Sequence, residues 1–399
     1  MNKFLSYQRL FSEELFESVV PFWLNHSIDS DYGGYFSCLE RDGTVFDTDK
    51  FAWMQGREMW MFSTLCEQYG LKDEWMDAAR HGVSFMRKFG SSQNGDTFFA
   101  LERSGKPLVH PYNIYSDCFL CMGYAAYSRI SGDTWAKEEA LRLYKKINER
   151  KDSPKGIWEK KVQGSRAFCA MSFPMIQMTI ARELSGYLAD EIVEPIVQST
   201  LDTFWNLHVD KELKCVFERV LPDGRKNFEV MEGRLLNPGH ALETLWLIMD
   251  AANSRGYTEM VNDCAEAMLW SIDSGWDKEY GGIFYYQDYM GYPTEKLESS
   301  MKLWWVHAEA ILAMLLAYKL TKSEAHWEWF VKLCDYSFKH FSDKKNGGEW
   351  FGYLDRQGNP TSTLKGGKWK GFFHLPRALM LGEQWLSELS DEADKKNNV

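Results

Sequence analysis

Much is scarce or missing in this chain of 399 residues. No stretch reaches the roughly 18 apolar residues that a membrane-spanning helix requires. The most apolar run, 311–320, follows directly on His307 and Glu309. Basic clusters are also missing. The net charge is -11, whereas nucleic acid needs concentrated Lys and Arg to displace its counterions. The eight cysteines are scattered, so this is no small disulfide framework. Cys118 and Cys121 form a C-x-x-C inside a helical pattern without βαβ context, and read as two buried thiols on one helix. The opening Met1-Asn2-Lys3-Phe4-Leu5-Ser6 lacks an apolar h-region and a cleavage site, so the cytoplasm is the expected compartment. No Pro/Ser/Gly-rich linker divides the chain. The H-E-x-x-H, Walker and G-x-S-x-G signatures are missing: Gly366-Gly367-Lys368 is followed by Trp369, and His307-Ala308-Glu309 is no recognised ligand spacing.

What is present is a repeat. A Gly or Gly-Gly, then aromatic and β-branched residues, then a polar turn, recurs six times. It reads Tyr32-Gly33-Gly34-Tyr35-Phe36 before Asp42-Gly43, and Asn94-Gly95-Asp96-Thr97-Phe98-Phe99 before Ser104-Gly105. A weaker copy is Lys155-Gly156-Ile157-Trp158 before Gln163-Gly164, and the fourth, Leu213-Lys214-Cys215-Val216-Phe217 before Asp223-Gly224, lacks the leading Gly. Tyr280-Gly281-Gly282-Ile283-Phe284 and Asn346-Gly347-Gly348-Glu349-Trp350 complete the set, before Met290-Gly291 and Gln357-Gly358. Self-similarity at roughly 60 residues signals repeated supersecondary units. Between these hairpin-like segments the apolar period changes to about 3.6. Helices are expected over 3–25, 53–69, 73–89, 113–131, 134–149, 168–185, 188–207, 239–255, 257–274, 300–320, 323–341 and 371–388.

Helix, long loop with hairpin, helix, short turn, six times over, predicts an all-α protein. It is an (α/α)6 barrel of twelve helices, with short β-hairpins in the long loops at one end. Residues 1–389 are expected to form a single barrel and 390–399 a frayed polar tail. The even helices would start at the hairpin end and line one funnel. Their first turns carry Trp53 and Arg57; His240 and Glu243; Lys302, Trp304, Trp305, His307 and Glu309; and His374.

Taken singly, each has a bland reading: a satisfied core His, a helix pair for Glu243, a carboxylate partner for Arg57, core for Trp304 and Trp305. Ionisable groups gathered in one barrel mouth are a different matter, because burying them unpaired is costly. The aromatic fraction is 15%, with 17 Trp, and flat rings suit a sugar. His, Glu and Arg together suit proton transfer at a carbon next to a carbonyl. Imidazole titrates near pH ~6.5, and a guanidinium steadies the oxygen that becomes negative.

At these residues the chain resembles the N-acylglucosamine 2-epimerase family. The resemblance rests on Phe51-Ala-Trp-Met-Gln-Gly-Arg57-Glu-Met-Trp60, Asn237-Pro-Gly-His240-Ala-Leu-Glu243, Met301-Lys-Leu-Trp-Trp-Val-His307-Ala-Glu309, Gly348-Glu-Trp-Phe-Gly-Tyr353 and Lys365-Gly-Gly-Lys-Trp-Lys-Gly-Phe-Phe-His374. It implies the same barrel, and interconversion of N-acetylglucosamine and N-acetylmannosamine without a metal or redox cofactor. It makes His240 and His374 the acid/base pair. Arg57 and Glu309 would hold the substrate and order the His, and Glu243 would support His240. It also implies a homodimer, and a nucleotide as effector is known among relatives. Mannose, glucose or cellobiose as substrate, aldose–ketose isomerisation, and an inverting glycosidase using Glu243 and Glu309 are the alternatives. No nucleic-acid or membrane partner is expected.

Overall fold

The computed structural model describes residues 3–111, 113–151, 153, 155, 159–162 and 164–397. Gly156, Ile157, Trp158 and Gln163 of the weak third hairpin, and Tyr112, lie outside the described residues.

Among the described residues, twelve long helices follow one another. Helix α1 runs Lys3–Glu13, passes through a π-helical stretch Glu14–Val19 and continues as Val20–His26. Then come α2 (Ala52–Tyr69), α3 (Asp73–Phe89), α4 (Tyr115–Ser131), α5 (Thr134–Glu149) and α6 (Ser172–Glu183). Helix α7 (Asp190–Thr203) also ends in a π-helical stretch, Phe204–His208. The rest are α8 (Pro238–Asn253), α9 (Thr258–Gly275), α10 (Trp304–Thr321), α11 (Glu324–His340) and α12 (His374–Asn397).

Even helices pack on the next even helix along the chain, and each odd helix backs its partner from outside, α1 against α12. The Trp60–Phe373 and Phe62–Phe372 ring contacts, and Tyr69 donating to Glu383, close the ring. This is the (α/α)6 barrel. The division follows from sequence: α10 is apolar nearly all round and every residue from Trp304 to Tyr318 is buried, as a helix enclosed on all sides must be. The outer helix α3 instead alternates buried Trp75, Ala78, Ala79, Val83 and Met86 with an exposed charged face. One inner contact depends on two glycines. A Cβ on Gly56 would lie 2.4 Å from the backbone of Phe119, and one on Gly123 2.6 Å from the Gly56 carbonyl oxygen. Only bare backbone lets α2 and α4 cross so closely.

The strands differ from the expected row of independent hairpins. Local ladders do form, such as Cys38–Leu39 with Val45–Asp47. But the short strand before an inner helix pairs with the next unit. Lys50–Phe51 pairs with Ala100–Leu101, Cys169–Ala170 with Arg219–Val220, Leu235–Leu236 with Gln287–Asp288, and Lys302–Leu303 with Tyr353–Leu354. Lys365 and Gly366 donate to the Leu39 carbonyl, tying the last unit to the first. A chain of short ladders therefore fixes the rim from which the inner helices start.

Three units add the same buried ion cluster. Asp29 accepts from Lys50 and Arg103, Asp277 from Lys302 and Arg356, and Asp343 from Lys365 and Arg41, at 2.6–3.1 Å. Each Asp precedes its Gly-Gly pair, each Lys lies in the segment leading into an inner helix, and each Arg comes from the loop of the following unit.

The expected frayed tail is a correction. Helix α12 continues to Asn397. Ser390 is buried and Lys322 binds Glu392 at 2.7 Å, so the start of this segment still packs as helix. Helices α6 and α10 also start later than expected, because Cys169–Ala170 and Lys302–Leu303 are strands.

Candidate active site

The inner helices enclose a cavity of about 920 Å³ at the rim end of the barrel. Trp53, Arg57, His240, Glu243, Trp304, Trp305 and His374 all line it. Each lies in the first turn or two of an inner helix, so the shared start of the even helices gathers them.

The two imidazoles flank one indole: His240 lies 5.2 Å and His374 5.7 Å from the Trp305 ring, centroid to centroid. Each is held through Nδ1. His374 Nδ1 bonds Glu309 at 2.7 Å, and His240 Nδ1 bonds Glu218 at 3.1 Å. With Nδ1–H donating to a carboxylate, Nε2 is the nitrogen left for a substrate. The Asn237 side chain caps α8 by accepting from the His240 backbone N–H at 3.1 Å, and Pro238 stands at the first helical position.

Their charge preferences are opposite. Burial holds the His374 imidazole well below its ordinary pKa; Arg57, Arg377 and His240 reinforce this and Glu243 opposes it. His374 is therefore neutral. Burial works the same way on His240, but there the Glu218 carboxylate, as charge and as hydrogen-bond partner, and Glu243 outweigh it and raise the pKa. His240 is thus poised to carry a proton.

Glu309 is completely buried. It takes His374 and Arg377 on Oε1, the latter at 2.6 Å, and Trp246 Nε1–H on Oε2 at 2.9 Å. Arg377 also donates to Glu243 at 2.9 Å. Glu243, Glu309 and His374 offer ligand atoms within 4.8 Å of one another, a spacing a cation could use. The Arg377 guanidinium bridges the two carboxylates and already places a cation between them. The same bridge overturns the glycosidase alternative. An inverting pair stands about 6.5–9.5 Å apart across the bond it cleaves, whereas these carboxylates converge on one arginine.

Arg57 lies over the rings of Phe119, Trp53 and Phe373, 4.0, 4.8 and 4.9 Å from their centroids, and its buried Nε has no partner. Cation–π contacts hold the charge in place while leaving N–H groups available.

Lys302 and His307 are corrections, because neither reaches the cavity. Lys302 is wholly buried in the Asp277 cluster at 3.0 Å. His307, also wholly buried, donates from Nδ1 to the Leu303 carbonyl at 2.8 Å and accepts the Ile283 N–H on Nε2 at 3.0 Å. Burial lowers its pKa to about 3, so it is a neutral scaffold group. Gln55, five residues after Lys50 as His307 is after Lys302, likewise receives the Tyr35 N–H beside its own Gly-Gly pair.

Sequence reasoning missed Arg377 and Glu218. Arg377 sits one turn after His374 and so shares its face. Glu218 lies six residues before its turn glycine, where other hairpins carry Ser37, Phe99, Tyr285 or Gly352. A lone carboxylate at a repeated position was the available signal.

Two imidazoles against one indole in a shared cavity, on an (α/α)6 barrel, define an acid–base enzyme for a small polar substrate. The sequence matches the N-acylglucosamine 2-epimerase (GlcNAc 2-epimerase) family over residues 34–378, and the chain belongs to that family. It is 35% identical to N-acylglucosamine 2-epimerase of Bos taurus over 389 residues, covering 94% of this chain and 90% of the bovine one. Among solved structures, cellobiose 2-epimerase of Bacillus thermoamylovorans B4167 superimposes with a TM-score of 0.80 at 23% identity, covering 95% and 99% of the two chains. A D-mannose isomerase superimposes with 0.78 at 18% identity, covering 96% and 98%. Among the described residues no helix is long and apolar enough to cross a membrane.

Proposed function

We propose that this protein interconverts N-acetylglucosamine and N-acetylmannosamine by moving the proton on C2. The observation that carries the proposal is the pair of imidazoles of opposite charge preference flanking Trp305. Family membership supports it independently. A cyclic hemiacetal has no carbonyl to acidify C2, so the open-chain sugar is the reacting form. His374 Nε2 takes the C2 proton, and the C2–H electrons become the C1–C2 double bond as negative charge moves to O1. Arg57 steadies that oxygen. The His240 imidazolium then delivers a proton to the opposite face of C2, the charge returns from O1 to restore the carbonyl, and the configuration is inverted. The return reaction exchanges the two roles.

Glu309 and Arg377 position the base. The reading needs neither a metal nor a redox cofactor, because the cation beside Glu243 and Glu309 is Arg377 itself; turnover unchanged after dialysis against EDTA is its check. Seven of the eight unpaired cysteines are buried, which suits a reducing compartment such as the cytoplasm. A homodimer accompanies the reading, with light scattering as its measurement.

The function is tested by incubation with N-acetylmannosamine, N-acetylglucosamine, mannose and cellobiose in heavy water. The expected product is the 2-acetamido epimer carrying deuterium at C2. A ketose labelled at C1 would show aldose–ketose isomerisation instead.

A further inference from the structure

One buried acid has no part in the chemistry above. Glu58 follows Arg57 on α2, but its side chain turns from the cavity toward Ser27, the residue that caps the end of α1. Glu58 is 1% exposed and bonds the Ser27 hydroxyl. Ser27 Oγ also stands 2.6 Å from the Trp23 carbonyl oxygen, which takes the Ser27 backbone N–H at 2.9 Å as well. A hydroxyl owns a single hydrogen and a carbonyl owns none. At 2.6 Å the Ser27 hydrogen lies toward Trp23. The contact with Glu58 then needs a second hydrogen, and only the carboxyl can bring it. An ionised Glu58 would set two acceptors against one hydrogen. No cation pairs with Glu58 among the described residues, and the titratable groups around it are engaged elsewhere. Tyr35 of the first hairpin, which also senses Tyr127 of α4, donates to the Ala78 carbonyl at 2.6 Å. His81, one turn beyond Ala78 on α3, bonds the Asp29 carbonyl, and the Asp29 carboxylate holds Lys50 and Arg103. On α1, His26 packs on Phe22, and the Trp23 indole N–H goes to Glu349, which pairs with Lys370. Arg57 lies over the rings that line the cavity. Burial without a counter-charge pushes the Glu58 carboxyl well above its ordinary range, and the Ser27 hydrogen bond offsets only part of this.

We propose that Glu58 is carried as the uncharged acid and serves as a proton-operated latch, donating to Ser27 to tie α2, the helix of Arg57, to the end of α1. The latch works in one direction. In the unfolded chain Glu58 ionises near pH ~4.3, whereas in the fold it keeps its proton to far higher pH. The stability it contributes is whole below pH ~4.3 and drains away as pH rises toward the folded pKa, because each step of one pH unit favours the ionised, unfolded chain by up to about tenfold. Alkali therefore loosens the tie. A side chain of similar size that cannot ionise escapes this loss at every pH.

The test compares urea unfolding of the native protein, Glu58→Gln and Glu58→Met at pH ~5, ~6 and ~7. Glutamine keeps an N–H donor for Ser27, and methionine fills the space without one. Relative to either variant, the unfolding constant of the native protein should rise about fiftyfold over this range, which leaves Glu58→Gln the more stable protein at neutral pH. A ratio that moves less than about threefold would mean that the fold carries the ionised carboxylate, and overturns the proposal. Failure of both variants to fold at the acid end of the range would show that the charge is required, and overturns it too. The bond itself is read from Ser27→Ala, made in the native protein and in Glu58→Met. It should raise the unfolding constant at least about threefold more in the first than in the second, and equal effects overturn the tie between α1 and α2.

Discussion

Replacing Glu309 by Gln is the sharpest perturbation of the support beneath the base. The carboxylate accepts three hydrogen bonds, from His374 and Arg377 on Oε1 and from Trp246 on Oε2. A glutamine keeps one acceptor and turns the other into a donor. If the amide nitrogen faced His374 and Arg377, the buried guanidinium would meet a donor where it had an acceptor and be left without that partner, which costs about 3–5 kcal/mol. The imidazole would also have to accept on Nδ1 and carry its hydrogen on Nε2, the wrong tautomer for a base. If the nitrogen instead faces Trp246, two donors oppose each other at a cost of about 1–3 kcal/mol. The second arrangement wins. The tautomer survives, but the negative charge that steadies the imidazolium once His374 has taken the C2 proton does not. A hydrogen bond to a charged group is worth about 1.5–3 kcal/mol, which converts to a fall in kcat of about 10- to 150-fold. KM should stay within about threefold, because Glu309 is buried and does not line the cavity. Turnover followed by proton NMR, with thermal unfolding alongside, separates lost catalysis from lost stability. A folded Glu309→Gln protein with kcat within twofold of native would refute this reasoning.

Four further expectations rest on the same geometry. The pH profile of kcat/KM should be a bell whose plateau includes pH ~6.5: the acid limb marks protonation of His374, whose pKa is lowered, and the alkaline limb marks proton loss from His240, whose pKa is raised. Glu218→Gln should move the alkaline limb to lower pH and leave the acid limb in place, read from initial rates across pH. Lys302→Met should cost about 3 kcal/mol in denaturant unfolding, since it strips a buried partner from Asp277, yet change KM less than about twofold; a large KM effect would return Lys302 to the substrate site. Gly56→Ala should destabilise by at least about 2 kcal/mol and lower kcat/KM, because a Cβ 2.4 Å from the Phe119 backbone must push α2, which carries Arg57, away from α4.

The barrel and most of its mouth were legible because both follow from periodicity. A helix period broken six times by Gly-rich turns fixes which ends come together, and the residues on the first turns of alternate helices then have to meet. Lys302 and His307 were misread for an instructive reason: they stand at the right place on the right helix, but the repeat uses those places for its own assembly. Lys50 and Lys365 occupy the Lys302 position, and Gln55 occupies that of His307. A residue type that recurs from unit to unit holds units together, whereas Glu218 is the one carboxylate at its repeat position among the described residues, and it bonds His240. The pairing of strands between successive units was not legible, since two-residue ladders leave no alternation to read. The tail was misjudged because its polar composition does not show that Ser390 is buried and Glu392 pairs with Lys322 at the end of α12.

The central claim is that two imidazoles reach C2 from opposite sides, each serving one epimer. Its most direct test is proton exchange without inversion. His240→Asn and His374→Asn are each incubated in heavy water with pure N-acetylmannosamine and, separately, pure N-acetylglucosamine, and C2 deuterium is followed by NMR. The account predicts that neither variant epimerises, while each still exchanges the C2 proton of one sugar, a different sugar for each variant. Epimerisation by either variant, or exchange of the same sugar by both, would contradict it.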